Sequence, residues 1–142
     1  MEDVMIDARE YLNYFRIAES RIGLKIKQIK SLQDRLLTLS PSLDQVHVSH
    51  TKHITIMADT VAIITDMQRD IDQQTSEIFQ RKREAFKLLD QIRPENAAIL
   101  IERYFDGKTV QAICQMIHVT KRQAQRRINE AIKELQGVLN GS

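Results

Sequence analysis

Arg122, Gln125 and Arg126 stand one helical turn apart near the C-terminal end of this 142-residue chain, and their types suggest what they do. Arginine forks onto guanine and glutamine onto adenine, so such side chains on one ridge can read base edges in a DNA groove. Lys121 and Arg127, with the hydroxyls of Thr109 and Thr120, are types that grip phosphates without reading sequence. Gln123 and Asn129 complete the candidate DNA-binding set. Between Asp106 and Glu130 the chain carries Lys108, Lys121, Arg122, Arg126 and Arg127 and no acid. An anionic partner, double-stranded DNA, is the expectation; the plainer alternative is a solvated helix face.

Such residues read a groove only if a helix holds them in line. From Thr109 the sequence is TVQAICQMIHVTKRQAQRRINEAIKEL. Thr109 can cap a first helix whose Val110, Ile113 and Ile117 recur on one face. Ile117-His118-Val119 is then a turn. Thr120 with Gln123 three residues later forms a capping box, which sets the start of a second helix. At 100° per residue Ala124, Ile128, Ala131 and Leu135 form an apolar stripe on that helix, with Ile132 at its edge. Arg122, Arg126, Asn129 and Lys133 fall on the opposite side. Two helices joined by about three residues make the helix-turn-helix geometry.

Arg103-Tyr104-Phe105-Asp106-Gly107-Lys108-Thr109, Ala112-Ile113-Cys114, Val119-Thr120 and Arg127-Ile128 with Ala131 and Leu135 resemble the promoter-binding region 4 of bacterial sigma factors. The nearest likeness is to the sigma-like domain of phage late transcriptional regulators of the ArpU and RinA type. Ala8-Arg9-Glu10-Tyr11-Leu12 and Met57-Ala58-Asp59 are similar to an uncharacterised phage-protein family that places a helical hairpin before that domain. The sigma-like match covers about the last third of the chain, and the hairpin match nearly all of it. The resemblance implies promoter contacts by Lys121, Arg122, Gln125 and Arg126, activation of late genes, and host RNA polymerase as a further partner. Where the family turn carries glycine this chain has His118, which is expected to take a left-handed conformation.

Composition agrees with an all-α chain. Tryptophan is absent, aromatics are 5%, and there are four glycines and two prolines, so helix breakers and strand formers are both scarce. The net charge of +2 is unevenly placed: residues 1–93 hold fourteen bases and fourteen acids, residues 94–142 seven and five. The excess lies where phosphate attraction needs it, because that attraction is local. The lone Cys114 excludes an intramolecular disulfide and is read as a buried filler. No apolar run approaches the ~20 residues of a membrane span, and Glu2 and Asp3 argue against a signal peptide. The expected location is the cytoplasm of a bacterial host, with no membrane partner.

The N-terminal part reads as an antiparallel hairpin over residues 1–93, with helices at about 3–39 and 54–92 and a loop at 40–53. Ala8, Phe15, Ile22, Ile29 and Leu36 repeat every seven residues, with Tyr11, Ala18, Leu32 and Leu39 beside them and Lys25 interrupting. Met57, Ile64, Ile71, Ile78, Ala85 and Ile92 repeat likewise, with Met67 and Leu88 beside them and polar Gln74 and Arg81 in the companion position. Ser40-Pro41-Ser42 is expected to stop the first helix. His47, His50 and His53 in the loop are three potential zinc ligands without a completing Cys or acid pair, so no metal site is expected. Leu12, Leu24, Leu37, Ile63, Phe79 and Phe86 lie off the seams and must be covered by the DNA-binding domain, a second copy of the chain or another partner; a homodimer through the hairpin is favoured.

Arg93-Pro94-Glu95 marks the expected edge of a second domain, 94–142, with Ala98, Ile101 and Phe105 under the motif helices and Gly107 ending their support. No phosphate loop, nucleophile elbow or zinc-protease helix is present, so neither an enzyme nor a cofactor is expected. The expected function is sequence-specific DNA-binding transcription regulation. Its rival is an interaction module whose hairpin docks on polymerase or a repressor without DNA binding.

Overall fold

The computed structural model describes residues 6–42 and 50–141, with side chains from 6 to 38 and 51 to 141. It is all-α: α1 (Ala8–Ser42), α2 (His50–Leu89), α3 (Pro94–Leu100) running on into a π-helical turn (Ile101–Phe105), α4 (Val110–Ile117) and α5 (Lys121–Leu139). α1 and α2 form the antiparallel hairpin. Contacts divide the chain into two compact units, one of Met1–Glu19 with Ile78–Ser142, the other of Ser20–Glu77. The first unit therefore crosses the edge expected at Pro94.

Helix ends differ from expectation in ways the backbone explains. α1 begins at Ala8, because Asp7 caps it by accepting the Arg9 amide (3.3 Å). Pro41 does not stop the helix at Leu39; the helix runs to Ser42. Proline removes one amide donor and crowds the carbonyl four residues back, and in a helix that ends one residue later both costs fall in the last turn. α2 starts at His50, so Ser40–Ser42 and His50–His53 are helical and not loop. Residues 43–49, His47 among them, and the side chain of His50 lie outside the described residues, as does the expected helix start at residues 3–5.

The unit of Ser20–Glu77 is a stretch of two-helix seam. Ile29 and Ile64 are buried and Ile22, Leu36, Met57 and Ile71 half-buried. Lys25, the interruption in α1, meets Asp70 of α2 in an ion pair. At this exposure such a pair contributes little stability, and it favours one register over its neighbours. Thr60 takes a companion position that apolar periodicity passed over. It is buried because its hydroxyl donates back to the Ile56 carbonyl (2.7 Å).

The other unit holds the larger core. Leu12, Phe15, Leu100, Ile113, Ile128 and Leu135 are its largest fully buried side chains. Leu12, off the hairpin seam and expected to need cover from beyond it, is 0% exposed. Phe105 stands edge-on to both Phe15 (4.7 Å between centroids) and Phe86 (5.3 Å), which joins the hairpin to the helices after Pro94. Arg81, polar in a seam position, lies 4.4 Å over the Tyr14 ring, and Lys82 pairs with Glu19 (2.8 Å).

Pro94 occupies the first turn of α3 as expected. The π turn then changes which residues face inward. Ile99 and Leu100 are buried, and five residues later so are Tyr104 and Phe105, while Ala98 is exposed and Ile101 half-buried. The expectation of Ala98, Ile101 and Phe105 assumed an uninterrupted 3.6-residue period. The bond from the Asp106 amide to the Ile101 carbonyl (3.0 Å) spans five residues and accounts for the shift. Gly107, at φ 71°, ends the segment in the left-handed region.

Candidate nucleic-acid interface

α5 is set by its ends and its underside. The Thr120 hydroxyl accepts the Gln123 amide (3.2 Å), and Gln123 Oε1 accepts the Thr120 amide (3.0 Å), so the capping box is complete. Thr109 caps α4 in the same way by accepting from Ala112 (3.1 Å). Between the helices His118 adopts φ 58° and ψ 49°, the left-handed cap expected of it, and the Val119 amide reaches back to the Cys114 carbonyl (3.1 Å). Ala124, Ile128, Ala131, Ile132 and Leu135 are all buried, and Cys114 and Ile113 of α4 are buried as well. The outward direction of the opposite face follows from that packing.

Two side chains on the flanks of α5 fix neighbouring helices. Gln136 Oε1 accepts the Ala8 amide (2.8 Å), and its Nε2 donates to the Ile6 carbonyl (2.8 Å), which ties down the start of α1. Glu134 accepts from the Arg93 amide (3.2 Å) and from Asn96 Nδ2 (2.6 Å) at the start of α3. Its carboxylate is thus committed to a helix start.

Arg122, Gln125, Arg126 and Asn129 come together on the exposed face and line a shallow depression of about 420 Å3 with Glu130 and Lys133. Lys121 is exposed in the first turn. Among the described residues no carboxylate lies within 4.0 Å of the cationic groups of Lys121, Arg122, Arg126, Arg127 or Lys133. Lys108, in contrast, is paired with Glu102 and leaves the group of free cations. Glu130 enters the depression at its C-terminal side, so positive charge is least diluted over the first two turns, around Lys121, Arg122 and Arg126.

Other predicted residues are placed differently. Arg127 is half-buried on the flank of α5 and does not line the depression. Gln123 is committed to the capping box. Thr109 and Thr120 spend their oxygens as acceptors in caps and keep an O–H that can donate to a phosphate. Arg103, in the segment before α4, donates from Nη1 to the Lys108 carbonyl (2.9 Å) and braces the entry to that helix. Burial, and then the Arg16 guanidinium, lower its pKa from the ordinary arginine value.

Two further side chains at this face lie outside the candidate DNA-binding set. Lys133 sits on the stripe of Arg122, Arg126 and Asn129, and the same helical wheel points to it. Arg9 of α1 gave no such signal. Its Nη2 donates to Asn129 Oδ1 (3.2 Å), which also accepts from Gln125 Nε2 (3.2 Å), so a further cation reaches the face from 120 residues away.

None of the helices among the described residues is long and apolar enough to cross a membrane. No curated protein and no solved structure matches the chain. One family model does, described as a protein of unknown function, DUF1492, over residues 36–136. That span takes in the end of α1, the whole of α2, α3, the π turn and α4, and most of α5, and the chain belongs to the DUF1492 family.

Proposed function

We propose that this chain is a sequence-specific double-stranded DNA-binding transcriptional regulator, with α5 as the helix that enters the major groove. The carrying observation is the exposed face of Lys121, Arg122, Gln125, Arg126 and Asn129, whose cations have no ion-pair partner among the described residues. Cations clustered on one helix face with no acid paired among them are the electrostatic footprint that attracts phosphate. Arg122, Gln125 and Arg126 read base edges. Lys121 and Arg127, with the hydroxyls of Thr109 and Thr120, hold the backbone.

By its resemblance to sigma region 4 and to phage late regulators of the ArpU and RinA type, the protein activates late genes in concert with host RNA polymerase. The hairpin supplies a second role. Leu24, Leu37 and Ile63 are 60%, 72% and 49% exposed, which favours a homodimer through the hairpin, and a dimer doubles a weak DNA contact. Sedimentation of the purified protein tests this: Leu24→Glu with Leu37→Glu shifts a dimer to monomer, and a wild-type protein monomeric at all concentrations contradicts it.

The rival role, a hairpin that docks on polymerase or a repressor without DNA, draws on the same apolar residues. Selection of bound fragments from the source genome with the purified protein separates the two. Enrichment of a common sequence supports DNA reading, and recovery of no fragment above background supports the rival.

A further inference from the structure

We infer that Arg9, on the first helix, is a positioning residue for base recognition: through Asn129 it fixes which edge of the Gln125 amide faces the groove. The inference rests on α5 reading DNA and deepens that reading. Its starting point is the three-residue chain of bonds in which Asn129 Oδ1 accepts both from Arg9 Nη2 and from Gln125 Nε2, each at 3.2 Å.

The logic lies in the chemistry of donors. A guanidinium has only N–H groups, so the Asn129 atom facing Arg9 must be its oxygen. Gln125, one turn earlier on α5, can then bond to that oxygen only through its Nε2. The order of donors and acceptors therefore runs one way, from Arg9 inward. Gln125 keeps its Oε1 and a second Nε2–H free, an adjacent acceptor and donor. Adenine presents the complement in the major groove, the N6 amine and N7.

Without Arg9 nothing distinguishes the two orientations of the amide pair. Asn129 Nδ2 can donate to Gln125 Oε1 equally well, and Gln125 then turns both Nε2–H donors outward while its Oε1 is held toward Asn129 with one lone pair left. That edge suits the two acceptors of guanine, O6 and N7. Arg9 thus biases one position of the site toward adenine over guanine, and it does so before DNA arrives, when ordering the side chains no longer has to accompany binding.

The test uses the full-length protein, Arg9→Ala and Arg9→Lys. In the free proteins, the side-chain amide resonances of Gln125 and Asn129 are compared. Arg9→Ala is expected to move both, and Arg9→Lys, which still offers only donors, to restore them; resonances indifferent to Arg9 overturn the inference whatever the DNA data. In titrations of the selected site with each position varied in turn, Arg9→Ala should reduce one adenine-over-guanine preference roughly tenfold, leaving other positions and the salt dependence unchanged. A uniform loss on all sequences with a shallower salt dependence makes Arg9 a phosphate contact and overturns it. If the wild-type protein shows no sequence preference, the DNA reading itself falls, and this inference with it. An Arg9→Ala protein that selects the same site as wild type removes the inference alone.

Discussion

At the residue scale, the proposed DNA-binding face of α5 divides into side chains suited to base edges and side chains suited to phosphate. Arg126 is exposed, has no ion-pair partner among the described residues and sits with Arg122 at the start of the depression. Arg126→Ala is expected to weaken binding at a single base position by ~1–3 kcal/mol and to relax specificity there. Titration against variant duplexes checks this, and an equal loss on all sequences would make Arg126 a backbone contact. The periodicity of one helix made Arg122, Gln125 and Arg126 legible, because residues on a common stripe must face one way. The bond from Arg9 was not legible, since no local pattern says which distant side chain arrives at Asn129.

At the scale of elements, caps decide where the interface begins. Thr120 and Gln123 were readable because a capping box is local, and so was the left-handed turn at His118. His118→Gly removes the strain of a β-carbon at φ 58° and is expected to raise stability by about 1 kcal/mol. Denaturant unfolding checks it: the midpoint rises and the slope stays unchanged.

Gln136 was not readable as a cap, because it serves α1 from the far end of the chain. Gln136→Ala leaves the Ala8 amide and the Ile6 carbonyl without their partner and is expected to cost about 1 kcal/mol. Hydrogen exchange should localise that loss to the first turn of α1; an unchanged exchange pattern would contradict it. The π turn was hidden for another reason. Ile99-Leu100 and Tyr104-Phe105 are apolar pairs spaced by five, and a reading that assumes 3.6 residues per turn throughout assigns Ala98 and Ile101 inward in their place.

At the scale of the whole molecule, the heptads displayed the helical hairpin plainly. They did not display how the chain divides, because Pro94 looks like a boundary while Phe15, Phe86 and Phe105 pack across it. Net charge alone, +2, would not have suggested a nucleic-acid partner. Its distribution does, since the free cations of α5 share one face while Glu134 is spent on the start of α3 and Glu102 on Lys108. The measurement that tests this most directly is the affinity of the purified protein for a native double-stranded fragment as salt is raised. Log affinity should fall linearly with log salt, by about 0.9 for each phosphate neutralised, and the total should correspond to several phosphates. Affinity indifferent to salt, or no binding in dilute buffer, would contradict it.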